Sequence, residues 1–162
     1  MVGSKFFSIE KVNGISQMHV TGPINEVSGA ALMDAIREIE GKCVINLKDV
    51  SYINSIGVRC WISFINTLQV SCAITLSECS VDFTMQLNMI NSFAGKSTVE
   101  SICAQYICAD CNYEDIVLFK VADLRHMEPS SLQYCKCKEC GKDAELAEDP
   151  EIFLRFLGKV SS

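Results

Sequence analysis

Two Cys-x-x-Cys pairs constrain this chain more than any other feature. They are Cys108-Ala109-Asp110-Cys111 and Cys137-Lys138-Glu139-Cys140, with 25 residues between them. A turn of this length can present two sulfurs to one ion, and two such turns complete a tetrahedral four-thiolate set. The spacing predicts one structural Zn²⁺ held by Cys108, Cys111, Cys137 and Cys140. Gly141 follows the last cysteine, where a tight turn needs it. Lys136, Lys138 and Lys142 flank the second pair and are expected to soften the thiolate charge. Cys135 is an alternative ligand to Cys137, although Cys-Lys-Cys makes a poorer chelating turn. Cys103 and Cys135 otherwise read as outer-shell or buried thiols. Four protein ligands leave no open position on zinc, so the site points to structure rather than catalysis.

The chain has ten cysteines. Its N-terminus, from Met1 to Phe7, carries no signal-peptide core. No apolar run reaches the roughly 20 residues that a spanning helix needs. A reducing cytoplasm is therefore expected, where clustered cysteines bind metal or do redox chemistry rather than form disulfides. A thiol redox sensor using Cys135, Cys137 and Cys140 remains open beside the structural site. Charge bears on partners. Residues 1–98 carry 7 basic and 8 acidic side chains, and residues 99–162 carry 7 basic and 12 acidic. Phosphate backbones are bound by excess Lys and Arg, so the acidic C-terminal part argues against nucleic acid, the alternative partner for a zinc ribbon.

Residues 1–98 alternate between strand and helix patterns. Phe6 to Val12 and Ile15 to Thr21 read as strands around an Asn13-Gly14 hairpin turn, with Gly22-Pro23 ending the second. A helix is expected from about Val27 to Glu40, with Leu32, Ile36 and Ile39 on one face and Gly41 as its stop. Cys43 to Leu47 reads as a central strand. A second helix carries Val58, Trp61, Ile62, Ile65 and Leu68 inward, and Arg59 is expected to be exposed. Ser71 to Leu76 is another strand, and a third helix starts near Ser80 with Phe83, Leu87 and Ile90 on its stripe. Met85 and Met89 read as core filler. From Val99 the pattern changes. Val99 to Ile107 and Asp115 to Val121 look like strands, and Asp149-Pro150 marks a short terminal helix with Ile152, Phe153, Phe156 and Leu157 apolar. The expected division is 1–98 and 99–162, with the strand near Val99 to Ile107 running from one part into the other. The class is α/β: a mixed sheet with packed helices, then a small ribbon.

The segments Thr21-Gly22-Pro23-Ile24-Asn25 and Val44-Ile45-Asn46-Leu47-Lys48-Asp49-Val50-Ser51-Tyr52-Ile53-Asn54-Ser55-Ile56-Gly57-Val58, with an amphipathic helix between them, resemble a STAS domain, the fold of bacterial anti-sigma factor antagonists. The resemblance follows element order from residue 6 to about 106. It implies a non-catalytic protein–protein interaction module in bacterial signalling. It also implies a switch kinase or anti-sigma factor as partner, and a phosphoacceptor serine at Ser55. Asn54 and Ile56 stand where the family usually has Asp and Ser or Thr. The surface implied for the partner is Asn25, Asn54, Ser55 and Gly57. On physical grounds alone, Ser55 opens a helix and two roles remain: capping the helix, or carrying a phosphate at its positive end. No phosphate loop, HExxH or GxSxG motif is present, and neither His19 nor His126 lies near a nucleophile motif, so no enzyme activity is expected.

Overall fold

The computed structural model describes residues 1–160. Strand β1 is Val2–Ser4, β2 is Phe7–Val12 and β3 is Ile15–Ile24. Asn13 and Gly14 both take positive φ, 52° and 78°, which closes the tight β2–β3 hairpin. Helix α1 (Glu26–Ala35) leads through a 3₁₀ turn at Ile36–Glu38 into β4 (Gly41–Ile53). Then follow α2 (Ser55–Leu68), β5 (Cys72–Ser77), α3 (Val81–Met89) and β6 (Thr98–Val99). These strands form one sheet in the order β1-β2-β3-β4-β5-β6. The first three are antiparallel; β3 to β6 run parallel, each connected through a helix.

Alternation sets the faces. Met18 and Val20 in β3, and Cys43, Ile45 and Leu47 in β4, are buried, while Gln17, His19, Val44 and Asn46 between them are only half-buried. The helices cover the first set. Their anchor is Trp61, fully buried, whose ring meets Phe83 edge-on at 5.0 Å and whose Nε1–H donates to the Phe93 carbonyl at 2.9 Å.

Two strands outrun their apolar patterns. β3 continues past Gly22-Pro23 to Ile24, and β4 continues past Leu47 to Ile53. They stay paired through Thr21–Asp49, Gly22–Val50 and Ile24–Ile53, with register shifts at His19/Thr21 and Gly22/Ile24. Backbone pairing carries both strands through polar sequence that hydrophobic periodicity does not mark. Met85 and Met89 correct the expectation of core filler: they are 46 % and 68 % exposed. The stripe of α3 is Phe83 and Leu87, and residues two positions further along a helix point away from it.

After Glu100 the chain builds a second, antiparallel sheet. It comprises β7 (Ser101–Ile107), β8 (Glu114–Lys120), β9 (Tyr134–Lys136) and β10 (Asp143–Leu146), in the order β8-β7-β10-β9. Short helices α4 (Val121–Leu124) and α5 (Pro150–Phe153) flank it; Asp149 caps α5 with Pro150 at its first position. Glu100 joins the two sheets, donating its N–H to the Leu76 carbonyl and accepting from Val121 N–H, both at 2.8 Å. One apolar core runs from the first sheet through Tyr106, Leu132, Leu146, Phe153 and Phe156. Among the described residues, no helix is long and apolar enough to cross a membrane.

Candidate metal centre and the two helix starts

The turn joining β7 to β8 carries Cys108 and Cys111, and the turn joining β9 to β10 carries Cys137 and Cys140. The two turns are built alike. In the first, Asn112 N–H donates to Cys108 C=O at 2.8 Å and Cys108 N–H to Tyr113 C=O at 2.9 Å. In the second, Gly141 N–H donates to Cys137 C=O at 3.0 Å and Cys137 N–H to Lys142 C=O at 2.8 Å. Each needs a left-handed residue after its second cysteine: Asn112 at φ 58° and Gly141 at φ 73°. Asn tolerates that conformation better than most side chains. Cys-Asn beside Cys-Gly was therefore a signal of matched turns that sequence reasoning overlooked.

The four sulfurs converge. All lie within 4.8 Å of one another, with Cys108 to Cys140 at 3.5 Å and Cys111 to Cys137 at 3.6 Å. Sulfurs around a tetrahedral ion bound at about 2.3 Å stand about 3.8 Å apart, so the set fits a metal ion. Cys108 and Cys137 are buried; Cys111 and Cys140 are exposed. The backbone N–H groups of Cys140 and Glu139 favour the Cys137 thiolate and lower it to about 7. At Cys111 the Tyr113 N–H also favours the thiolate, but partial loss of solvent around the sulfur and the neighbouring Cys137, Cys140 and Cys108 sulfurs outweigh it and push the thiol up to about 12. Four thiolates this close repel one another unless a cation sits between them.

The flanking lysines are each paired with an aspartate, and Lys142 also lies close enough to Cys140 and Cys108 for those sulfurs to help raise its pKa. Lys142 pairs with Asp110 at 2.6 Å, Lys138 with Asp115 at 2.8 Å and Lys136 with Asp143 at 2.6 Å. The first two pairs tie one turn to the hairpin of the other, and each carboxylate holds its lysine above the ordinary ammonium range. Cys135 lies on β9 opposite Ala144, half-buried, outside the four-sulfur cluster, and Cys103 is buried on β7. No disulfide joins any of the ten cysteines. His19 Nε2 meets Asp49 Oδ2 at 2.7 Å on the first sheet, a pair the sequence did not suggest; His126 is exposed.

Helices α1 and α2 begin side by side. Asn25 caps α1, accepting from Val27 and Ser28 N–H at 3.0 and 3.1 Å. Asn54 caps α2, accepting from Gly57 N–H at 2.7 Å, and its Nδ2 donates to Glu26 at 3.3 Å. The α2 cap is thus Asn54, and Ser55 is the exposed first helical residue. Gly57 corrects the expected partner surface: it is buried under β3, where an added Cβ would stand 1.9 Å from the Ile24 carbonyl oxygen. Around Ser55 the exposed residues include Val27, Tyr52, Ile56 and Arg59.

No protein-family model matches the sequence. No curated protein matches it. Among solved structures, the chain is similar to "Structure of the Anti-Sigma Factor Antagonist SpoIIAA in its Unphosphorylated Form". The identity is 15 % over 57 % of this chain and 86 % of that one, with a TM-score of 0.43. It is also similar to "Crystal Structure Analysis of Mglu", at 22 % identity over 41 % of this chain and a TM-score of 0.38. There it spans 18 % of the other chain's length.

Proposed function

We propose that this chain is a non-catalytic protein–protein interaction module of the anti-sigma factor antagonist type, braced by a structural Zn²⁺ ribbon. In this reading residues 1–98 form the STAS-like part and residues 99–162 the ribbon, in a reducing bacterial cytoplasm. Cys108, Cys111, Cys137 and Cys140 hold the ion. A soft tetrahedral four-sulfur set suits zinc or iron, and two short turns closing on one ion suit a structural zinc. All four positions are filled by the protein, so substrate has no place on the metal.

The observation that carries the regulatory reading is the position of Ser55. It is exposed at the first residue of α2, and Asn54 takes the capping role that would otherwise account for it. Val27, Tyr52 and Ile56 give the surrounding surface exposed apolar side chains, with Asn25 and Asn54 beside them. A switch kinase or anti-sigma factor docks there. Phosphate on Ser55 adds about −1.5 to −2 charge, which the positive helix end tolerates and a docked partner does not. The Glu26 carboxylate, already hydrogen-bonded to Asn54, adds to that negative field. The acidic ribbon, with Lys136, Lys138 and Lys142 each paired to an aspartate, supports a protein partner over nucleic acid.

The test is affinity capture from the native cell with wild type, Ser55→Ala and Ser55→Asp, and identification of captured proteins by mass spectrometry. The expected result is an ATP-binding kinase or anti-sigma protein held by wild type and Ser55→Ala and lost by Ser55→Asp. Identical capture by all three variants, or none by any, overturns the regulatory reading.

A further inference from the structure

We propose that the open edge of β8 is a dimerisation edge, and that its occupant is β8 of a second copy of this chain, running antiparallel and centred on Val117. This inference is independent of the regulatory surface at α1 and α2. Strand β8 reads Glu114-Asp115-Ile116-Val117-Leu118-Phe119-Lys120 and stands at the end of its sheet, paired among the described residues with β7 alone.

The ladder to β7 shows which backbone groups are left over. Its register sets Val117 opposite Ala104 and Asp115 opposite Tyr106. The same register is continued by the bonds Val121 N–H to Glu100 C=O and Cys108 N–H to Tyr113 C=O. In an antiparallel pair, alternate residues exchange hydrogen bonds with the partner strand. The odd-numbered residues of β8 therefore bond to β7. The N–H and C=O groups of Glu114, Ile116, Leu118 and Lys120 point to the open side. These four residues are also the exposed ones, Ile116 and Leu118 each at 52 %. The side chains of Val117 and Phe119 pack against the core instead.

An edge strand of this length is normally blunted by a proline, a bulge or a mid-strand charge on its outer face. Between its end residues, β8 has none of these: its one internal charge, Asp115, is buried and bonded to Lys138. What it has instead is self-complementarity. A second β8 laid antiparallel about Val117 sets outward-pointing backbone groups opposite one another. Glu114 then faces Lys120 of the second copy at both ends, and Ile116 faces Leu118 twice between them. A slip of two residues places Glu114 opposite Leu118 and loses both charge pairs. Gln105 Nε2 donates to Glu114 at 3.0 Å and holds that carboxylate on this face. Opposite-charge and apolar cross-strand pairs both stabilise a ladder. The contact is isologous and closes on itself. Seven residues a side fall short of the roughly 20–30 of a standard interface, so the dimer forms reversibly with concentration.

Sedimentation velocity of the full reduced chain over a wide concentration range tests this. Wild type is expected to show a monomer–dimer equilibrium. Ile116→Lys and Glu114→Lys should each weaken it roughly tenfold or more, the second by setting Lys against Lys at both ends. The double variant Glu114→Lys/Lys120→Glu restores the charge pairs and should restore the wild-type constant. Circular dichroism monitors the fold, and if Ile116→Lys misfolds, the exposed charge pair decides alone. A monomer at every concentration overturns the proposal, as does a dimer indifferent to these substitutions or a double swap that fails to restore it.

Discussion

At Gly57 an added Cβ would stand 1.9 Å from the Ile24 carbonyl oxygen and 3.0 Å from Asn25 N, so only glycine lets α2 begin against the end of β3. Gly57→Ala must push helix and strand apart, and it should cost about 3 kcal/mol in urea unfolding. The neighbouring caps separate by the same measurement. Asn54→Ala should cost about 1 kcal/mol, because Gly57 N–H loses its acceptor. Ser55→Ala, at an exposed position, should stay within about 0.5 kcal/mol. The reverse order would return the cap to Ser55 and remove the observation on which its regulatory role rests. Sequence reasoning placed a helix start here and offered Ser55 as its cap or as a phosphoacceptor. It also put Gly57 on the surface, because the strand that crowds it is brought there by parallel pairing with β4, and nothing local to residues 54–58 records that.

Among the elements, the C-terminal segment is held by a polar residue inside α3. Asn88, buried, donates from Nδ2 to the Phe153 carbonyl at 3.2 Å and accepts at Oδ1 from Phe156 N–H at 2.7 Å. Lys159 Nζ donates to the Asn88 carbonyl, and Arg125 donates to the carbonyls of Leu157 and Val160 at 3.1 and 3.0 Å. Asn88→Ala strands two buried backbone groups and should cost about 2 kcal/mol, with faster hydrogen exchange across residues 150–158. Unchanged exchange there would show that Phe153 and Phe156 alone hold the segment. Asp149-Pro150 marked this helix plainly in the sequence, since capping is a local signal. Asn88 did not announce itself, because its partners lie more than sixty residues away. The two Cys-x-x-Cys turns give the complementary prediction. A chelator should abolish amide protection at Asn112 and Gly141 before that of β3 and β4. Lowering the pH should release the metal and cause the same loss of protection, since protons compete with it for the thiolates.

Across the whole molecule, two sheets share one core and meet at Glu100, so the four cysteines lie in a part of the fold that is packed against the rest. The pairs themselves were legible because four-thiolate sites depend on short spacings within each turn. The aspartates that claim Lys136, Lys138 and Lys142 were not, because their pairing depends on how the hairpins stack. Continuity of the core predicts a single thermal transition that falls as a unit when metal is removed, followed by calorimetry with and without chelator. The most direct measurement is the metal content of protein purified without added metal, by mass spectrometric elemental analysis, for wild type and for Cys108→Ser/Cys137→Ser. One zinc per chain in wild type and none in the variant is the predicted result. Metal-free wild type of unchanged thermal stability, or stoichiometric iron in place of zinc, would contradict a structural zinc at this site.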